Sequence, residues 1–141
     1  MTKLIATLFA AFFALASASA APDFAVGQKW SIKDSGMTIV IGRIEPFDGG
    51  HTAVSVSVFG LPCPPDSGCT TTTISHVPID SAALADSVDK LLATGAATDE
   101  QFEAGYANWK SANGGIFTVP VSQLPDLFAK SLSPNTQLKN E

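Results

Sequence analysis

The sequence has only two cysteines, few cations and no apolar run long enough to span a membrane. Eight lysines and arginines stand against thirteen aspartates and glutamates, which gives a formal net charge of −5. Because an acidic chain repels phosphate backbones and anionic lipids, we expect neither nucleic acid nor a membrane surface as a partner. A cationic protein is a better candidate. A chain of this length can bury a core of its own, so we expect no cofactor and no structural metal.

The sequence also lacks the local signatures of common enzyme sites. It contains no G-x-S-x-G, no H-E-x-x-H and no glycine-rich phosphate loop. These motifs would indicate an exposed serine nucleophile, a zinc-binding helix of a peptidase and a loop that binds nucleotide phosphates, respectively. Their absence favours a protein that binds over one that catalyses.

The first 20 residues have the features of a Sec-type signal peptide. Lys3 precedes an apolar run at 4–15, and the small residues at 18–20 form an A-x-A cleavage site before Ala21. The run is shorter than the roughly 20 residues that a membrane-spanning helix needs. No cysteine is present at the cleavage site to carry a lipid. We therefore predict a periplasmic or secreted chain with no membrane anchor after cleavage, divided into a signal peptide (1–20), a single domain (21–132) and a polar tail (133–141).

Cys63 and Cys69 are separated by five residues that include two prolines and a glycine. In an oxidising compartment such a pair is typical of a disulfide that closes a turn. Free thiols, and a metal or redox role, are the alternatives; a zinc site would take its remaining ligands from His51 and His76. However, the spacing matches neither a C-x-x-C redox motif nor a known zinc motif. Closing so short a loop would stabilise the fold by roughly 2 kcal/mol.

The middle of the chain has the period of an antiparallel sheet. Val54, Val56 and Val58 alternate with polar residues, which predicts a strand with one buried face. Turn residues separate this run from its neighbours. The predicted strands are 28–33, 37–45, 52–59 and 70–77. They form a meander, and the Thr-rich start of the last strand offers a partner backbone groups if that strand lies at an edge.

After residue 79 the pattern becomes helical. Leucines and a valine spaced i, i+4, i+7, i+8 predict a helix over 81–94, with Asp80 as its N-cap. A second helix is predicted from Thr98, whose T-x-x-Q spacing is a capping box, to the glycines after residue 113. A strand over 116–121 and a short helix from Ser122 follow. The sequence thus predicts an α+β fold in which two or three helices pack on one face of a meander, with one further strand near the C-terminus.

Ten residues of the domain follow a pattern of GQ.W, H.P, GY..W and FT: Gly27, Gln28, Trp30, His76, Pro78, Gly105, Tyr106, Trp109, Phe117 and Thr118. In this pattern the chain resembles a group of small bacterial secreted proteins with no assigned activity. The resemblance covers residues 26–121 but does not include the loop with Cys63 and Cys69. It implies one coherent domain and adds no chemistry.

His76 and Asp80 are the candidate catalytic residues. A histidine can act as a general base near neutral pH, with Asp80 or a nearby serine as its partner. The alternative is a structural histidine whose ring bonds a backbone group or the region of Asp80. No nucleophile with a recognised signature accompanies His76, so the structural interpretation is favoured.

Two further groups of residues are candidates for binding. Tyr106 and Trp109 lie at helical spacing, which is more typical of core than of a pocket. Acidic pairs spaced three apart are predicted on helix faces, where exposure leaves them poor acid–base catalysts. The candidate binding residues are Asp86, Asp89, Glu100 and Glu103 on the helices, and Pro64 and Asp66 in the stapled loop.

Two classes of function remain on this basis. The first is a non-enzymatic binding module, of the inhibitor or immunity type, that presents the stapled loop and an acidic helical face to a cationic protein. The second is a small periplasmic hydrolase that uses His76. A structural role in the cell envelope is a third and weaker hypothesis.

Overall fold

A computed structural model of the chain describes residues 22–132. The signal peptide predicted at 1–20 and the tail predicted at 133–141 lie outside those residues. The centre of the fold is a five-stranded sheet in which neighbouring strands run antiparallel, in the order β4-β3-β2-β1-β5. The strands are β1 (Lys29–Ile32), β2 (Thr38–Phe47), β3 (His51–Pro62), β4 (Thr71–Asp80) and β5 (Val88–Ala93). The predicted meander corresponds to β1 through β4.

Three helices complete the α+β class that the sequence predicts, which is confirmed. They are α1 (Ser81–Ser87), α2 (Phe102–Ser111) and α3 (Leu124–Leu132). Single 3-10 turns occupy Asp48–Gly50, between β2 and β3, and Val121–Gln123, just before α3. Within residues 22–132 no helix has both the length and the apolar character needed to cross a membrane.

One face of the sheet carries the hydrophobic core. Val54, Val56 and Val58 alternate along β3 and are fully buried, as the period of two predicts. Leu84 of α1 and Leu124 of α3 pack against the same cluster. Each such side chain contributes about 1.5–3 kcal/mol when it leaves water. This layer therefore holds α1 and α3 to the sheet.

The opposite face of β3 is also buried, because α2 covers it. Ser55 and Ser57 point to this side, and each is at most 1% exposed. Phe102 of α2 lies over Gly42, where a Cβ atom would collide with the phenyl ring. We call this side the serine face. The sequence predicts all helices on one face, whereas the structure places α1 and α3 on the core face and α2 on the serine face.

The helix predicted over 81–94 is wrong in its second half. Helix α1 gives way to β5 after seven residues. Strand β5 pairs with β1, and the backbone N–H of Lys90 donates to Ser31 Oγ at 3.0 Å. Leu91 and Leu92, the expected apolar stripe, are 46% and 50% exposed. Without β5, the backbone N–H and C=O groups on the outer edge of β1 would have no strand to pair with. Residues 88–93 therefore form a strand that makes these hydrogen bonds, although their apolar spacing favours a helix.

The strand predicted over 116–121 is reduced to a single parallel bridge from Phe117 to β4. The N–H of Phe117 donates to Pro78 O at 2.9 Å, and its carbonyl accepts from Asp80 N at 2.8 Å. Pro120 has no backbone N–H, so a ladder does not continue past it. The further strand of the sheet is therefore β5, which lies earlier in the chain than predicted.

Candidate functional site

The loop between β3 and β4 is closed by a disulfide between Cys63 and Cys69, whose Cα atoms are 5.8 Å apart. The predicted staple is confirmed. Because both sulfurs are in the bond, the free-thiol and metal-ligand alternatives are excluded. The N–H of Cys63 also donates to Thr70 O at 3.2 Å, which closes the hairpin beneath the disulfide. Residues 64–68 are all exposed.

The loop is also fixed from within by hydrogen bonds. Ser67 donates to Pro64 O twice, from its backbone N–H at 3.3 Å and from its Oγ at 2.7 Å. Asp66 and Gly68 have φ angles of 64° and 75°, which turn the chain sharply in the left-handed region. Asp66 adopts this conformation with less strain than most residues, because its short polar side chain tolerates it. The stapled loop, 63–69, therefore presents Pro64 and Asp66 on a rigid frame.

Strand β4 that follows this loop is an edge of the sheet, as strand addition would require. Residues 71–73 are exposed threonines. At the C-terminal end of the same strand, Phe117 forms a bridge to Ile79. The exposed threonines lie at the opposite end, next to the stapled loop.

The predicted pairing of His76 with Asp80 is wrong. The two residues are four positions apart on β4, which corresponds to about 13 Å of extended chain. The Asp80 carboxylate instead meets the ring of His51, with Nδ1 and Oδ1 3.1 Å apart. Asp80 is the N-cap residue of α1, as predicted, but its side chain makes no capping hydrogen bond.

His76 pairs with a serine on the neighbouring strand. Its Nε2 lies 3.0 Å from Ser55 Oγ, a distance that would suit a nucleophile and its base. However, Ser55 is 1% exposed, and the ring of His76 is packed edge-on against Phe102 and Tyr106. Gly105 passes so close that a Cβ on it would lie 2.7 Å from the Cβ of His76. A substrate cannot reach this hydroxyl while α2 is in place.

Burial lowers the pKa of His76 from its ordinary value, although the nearby charge of Glu45 opposes the shift. The ring is therefore neutral at neutral pH. A neutral ring matches its surroundings of a hydroxyl and aromatic side chains, because an imidazolium there would be poorly solvated. This arrangement supports the structural interpretation of His76.

Beside His76, the serine face carries a network centred on Glu45. Tyr106 Oη donates to Glu45 Oε2 at 2.7 Å, and Lys110 Nζ donates to Oε1 at 3.1 Å. Burial raises the pKa of Glu45, but these two hydrogen bonds outweigh it, and the net pKa is lowered. The hydrogen bond to Glu45 raises the pKa of both Tyr106 and Lys110. Arg43 lies over the Tyr106 ring at 4.3 Å from its centroid.

Trp109 lines a surface groove rather than the core. Its ring stacks on Phe47, with centroids 6.2 Å apart and an interplanar angle of 24°. Its Nε1 donates to Gly115 O at 2.9 Å, and Gly114 leaves no room for a Cβ beside the indole. The groove has a volume of about 240 Å³ and also includes Lys110. Of the helical stripe that the sequence predicts, only Phe102 is fully buried.

The acidic residues do not form one helical face. Asp86 lies on α1 and Asp89 on β5, so the predicted helical pair is wrong, although both residues are exposed. Glu103 of α2 is neutralised by Arg43, with Oε2 and Nη2 2.8 Å apart. Glu100 is exposed and lies in the turn before α2.

The start of α2 also differs from the prediction. The helix begins at Phe102, four residues after Thr98. Asp99, rather than Thr98, accepts the backbone N–H of Gln101 at 3.0 Å. Its carboxylate also accepts Ser75 Oγ at 2.6 Å, and this bond is the main reason why the pKa of Asp99 is lowered. Asp99 therefore connects the N-terminus of α2 to β4.

The sequence patterns do not predict the hydrogen-bond network around Glu45. Tyr106 and Lys110 are four residues apart on one helix, and Arg43 and Glu45 are two apart on one strand, so each pair could have been placed on one face. What the sequence does not show is that α2 crosses β2 at these positions. Tyr106 lies 61 positions after Glu45 in the sequence.

Comparison with protein-family models, with curated proteins and with solved structures found no match. Among residues 22–132, no group of three or more His, Cys, Asp or Glu side chains is placed to hold a metal ion. Three features of the described residues therefore bear on function: the stapled loop, the pair of His76 and Ser55, and the Glu45 network.

Proposed function

We propose that the protein is a secreted or periplasmic binding module, without catalytic activity, that presents the stapled loop to a protein partner. The observation that carries this proposal is the loop itself, which is exposed at 64–68 and fixed by a disulfide and two internal hydrogen bonds. A loop that is already ordered loses little conformational entropy when it binds. An inhibitor or immunity-type protein would benefit from this property. The disulfide fits the extracytoplasmic address that the predicted signal peptide implies.

The charge of the chain supports a cationic partner. The formal net charge is −5, and Asp66 at the tip of the stapled loop is exposed. Asp86 on α1, Asp89 on β5 and Glu100 in the turn before α2 are exposed as well, so the acidic surface is not confined to one helix face. Such a surface accelerates encounter with a positively charged protein, and this effect weakens as salt rises.

The hydrolase hypothesis has weaker support. Its best observation is the 3.0 Å contact between His76 and Ser55. The serine is buried under α2, and Asp80, the other partner that the hypothesis offers His76, is bonded to His51 instead. A buried pair of this kind contributes to the packing of α2.

An affinity capture tests the proposal. The oxidised protein is immobilised and exposed to periplasmic extract and culture fluid at low and moderate salt, and bound proteins are identified by mass spectrometry. We expect a specific basic protein whose recovery falls with salt and is lost from a Cys63→Ser/Cys69→Ser variant. Asp66→Asn should weaken capture, whereas Asp126→Asn, which alters an exposed acid on α3, should leave it unchanged. A partner retained equally by all three variants would contradict the role of the loop, and recovery of no partner would contradict the proposal as a whole.

A further inference from the structure

The groove beside Trp109 is separate from the stapled loop. It is formed where β2 ends and α2 ends, whereas the loop begins at the far end of β3. Strand β3 has 12 residues, so its two ends are roughly 35 Å apart along the chain. A ligand in the groove therefore belongs to a different surface from the proposed protein partner.

We propose that this groove binds a single neutral sugar ring. Its volume of about 240 Å³ is below the range of about 300–1,000 Å³ typical of sites for drug-sized ligands, and suits one small ring. One wall is apolar and consists of the stacked rings of Trp109 and Phe47. The other walls carry the polar groups of Glu45, Asp48 and Lys110. A pyranose has the matching combination of an apolar C–H face and hydroxyls at its rim.

The apolar wall is held in position before any ligand arrives. The indole of Trp109 is fixed by its hydrogen bond to Gly115 O and by the close approach of Gly114. The turn that follows α2 carries Asn113 at a φ of 50°, with its N–H donating to Lys110 O at 3.2 Å. This turn brings Asn113 to the groove. An aromatic wall that is already ordered contacts a ligand at low entropic cost.

The polar walls favour hydroxyl groups over charged groups. Glu45 accepts one hydrogen bond on each oxygen, which leaves a lone pair on each, and Lys110 has protons beyond the one it gives to Glu45. Hydroxyls both donate and accept, so they can use both groups. An anion would meet the carboxylates of Glu45 and Asp48. A cation would have to displace Lys110, which already bonds Glu45 and lies 5.9 Å from the centroid of the Trp109 ring.

The test follows the indole N–H signals of the 15N-labelled protein during titration with glucose, galactose, mannose and N-acetylglucosamine, each up to tens of millimolar. The chain has two tryptophans, so Trp30 serves as an internal reference. We expect at least one sugar to shift the Trp109 signal in a saturable way and to leave Trp30 unchanged. Choline and glucose 6-phosphate serve as the cationic and anionic probes and should bind more weakly.

Two variants connect the binding to the groove. Asn113→Gly keeps the left-handed turn but removes the amide, and Asp48→Asn removes a charge at the rim; each should weaken binding, the two together by about tenfold or more. Asp126→Asn, which removes an exposed carboxylate from α3, is the matched control and should bind like the original protein. The proposal is overturned if no sugar shifts Trp109, if both tryptophans shift alike, if a charged probe binds best, or if the groove variants bind unchanged. These outcomes are independent of partner capture by the stapled loop.

Discussion

The imidazole of His76 is a partly buried titratable group on the serine face. It contacts Ser55 Oγ and the rings of Phe102, Tyr106 and Trp109, and the charge that acts on it is that of Glu45. Burial lowers its pKa, so the folded protein holds a proton on this ring less tightly than the unfolded chain does. By linkage, folding must oppose protonation of this residue.

The stability of the protein should therefore fall as the pH drops below about 6.5, the ordinary pKa of histidine. Above that pH both states are neutral at His76, and its contribution is fully present. Below it the unfolded chain takes up a proton first, and the free energy of unfolding declines by at most about 1.4 kcal/mol per pH unit from this residue. Urea unfolding between about pH 5 and pH 8 measures this, with His76→Gln as the comparison. Parallel curves for the two proteins would show that His76 is not the cause.

At the scale of elements, the contact between α2 and the sheet depends on glycines, which have no side chain in the way. Gly42 lies at a shift in the register between β2 and β3, and the ring of Phe102 occupies the space where its Cβ would be. Gly105 has the same role on α2, because a Cβ there would lie 2.7 Å from the Cβ of His76. The two glycines let α2 lie close enough to bury Ser55 and Ser57.

Gly42→Ala should accordingly destabilise the protein by about 1–3 kcal/mol, the usual cost of overpacking. Gly36→Ala is the matched control, because nothing lies within 4 Å of the added methyl group, and its effect should be much smaller. Urea unfolding of both variants measures the difference. Phe102→Leu in the Gly42→Ala background should recover part of the loss. Equal stability of the two alanine variants would contradict the packing argument.

The elements that the sequence predicts well are those whose pattern and environment agree. The alternation of Val54, Val56 and Val58 identifies β3 because one face of that strand is the core. The apolar stripe that includes Leu91 and Leu92 fits the period of a helix equally well. These residues form a strand because the edge of β1 needs a partner, and no local sequence pattern reveals that edge. The site follows the same rule: the contact of His76 with Ser55 depends on the register between β3 and β4, which the sequence does not specify.

At the scale of the whole molecule, the disulfide stabilises the fold without being part of its core. The bond closes a loop of seven residues at the end of the β3–β4 hairpin, and the hydrophobic cluster lies elsewhere. Its contribution therefore comes mainly from restricting the unfolded chain.

Reduction should lower the free energy of unfolding by roughly 2 kcal/mol and leave the protein folded. For a domain of this size the melting temperature should fall by about 5–15 °C. Thermal unfolding followed by circular dichroism, with and without reductant, measures the change, and Cys63→Ser/Cys69→Ser should melt at the same temperature as the reduced protein. Complete unfolding on reduction would show that the loop is required for the fold, and no change at all would show that it contributes nothing.

The bridge between Phe117 and β4 has a consequence for the behaviour of the protein at high concentration. Without the segment around Phe117, the carbonyl of Pro78 and the N–H of Asp80 at the end of β4 would be open to pairing with a second chain, as on any uncovered sheet edge. The segment bonds both groups, and the exposed threonines at 71–73 lie at the opposite end of the same edge. Detachment of this segment would therefore lengthen the edge on which another molecule can add, and its docking protects the protein against aggregation.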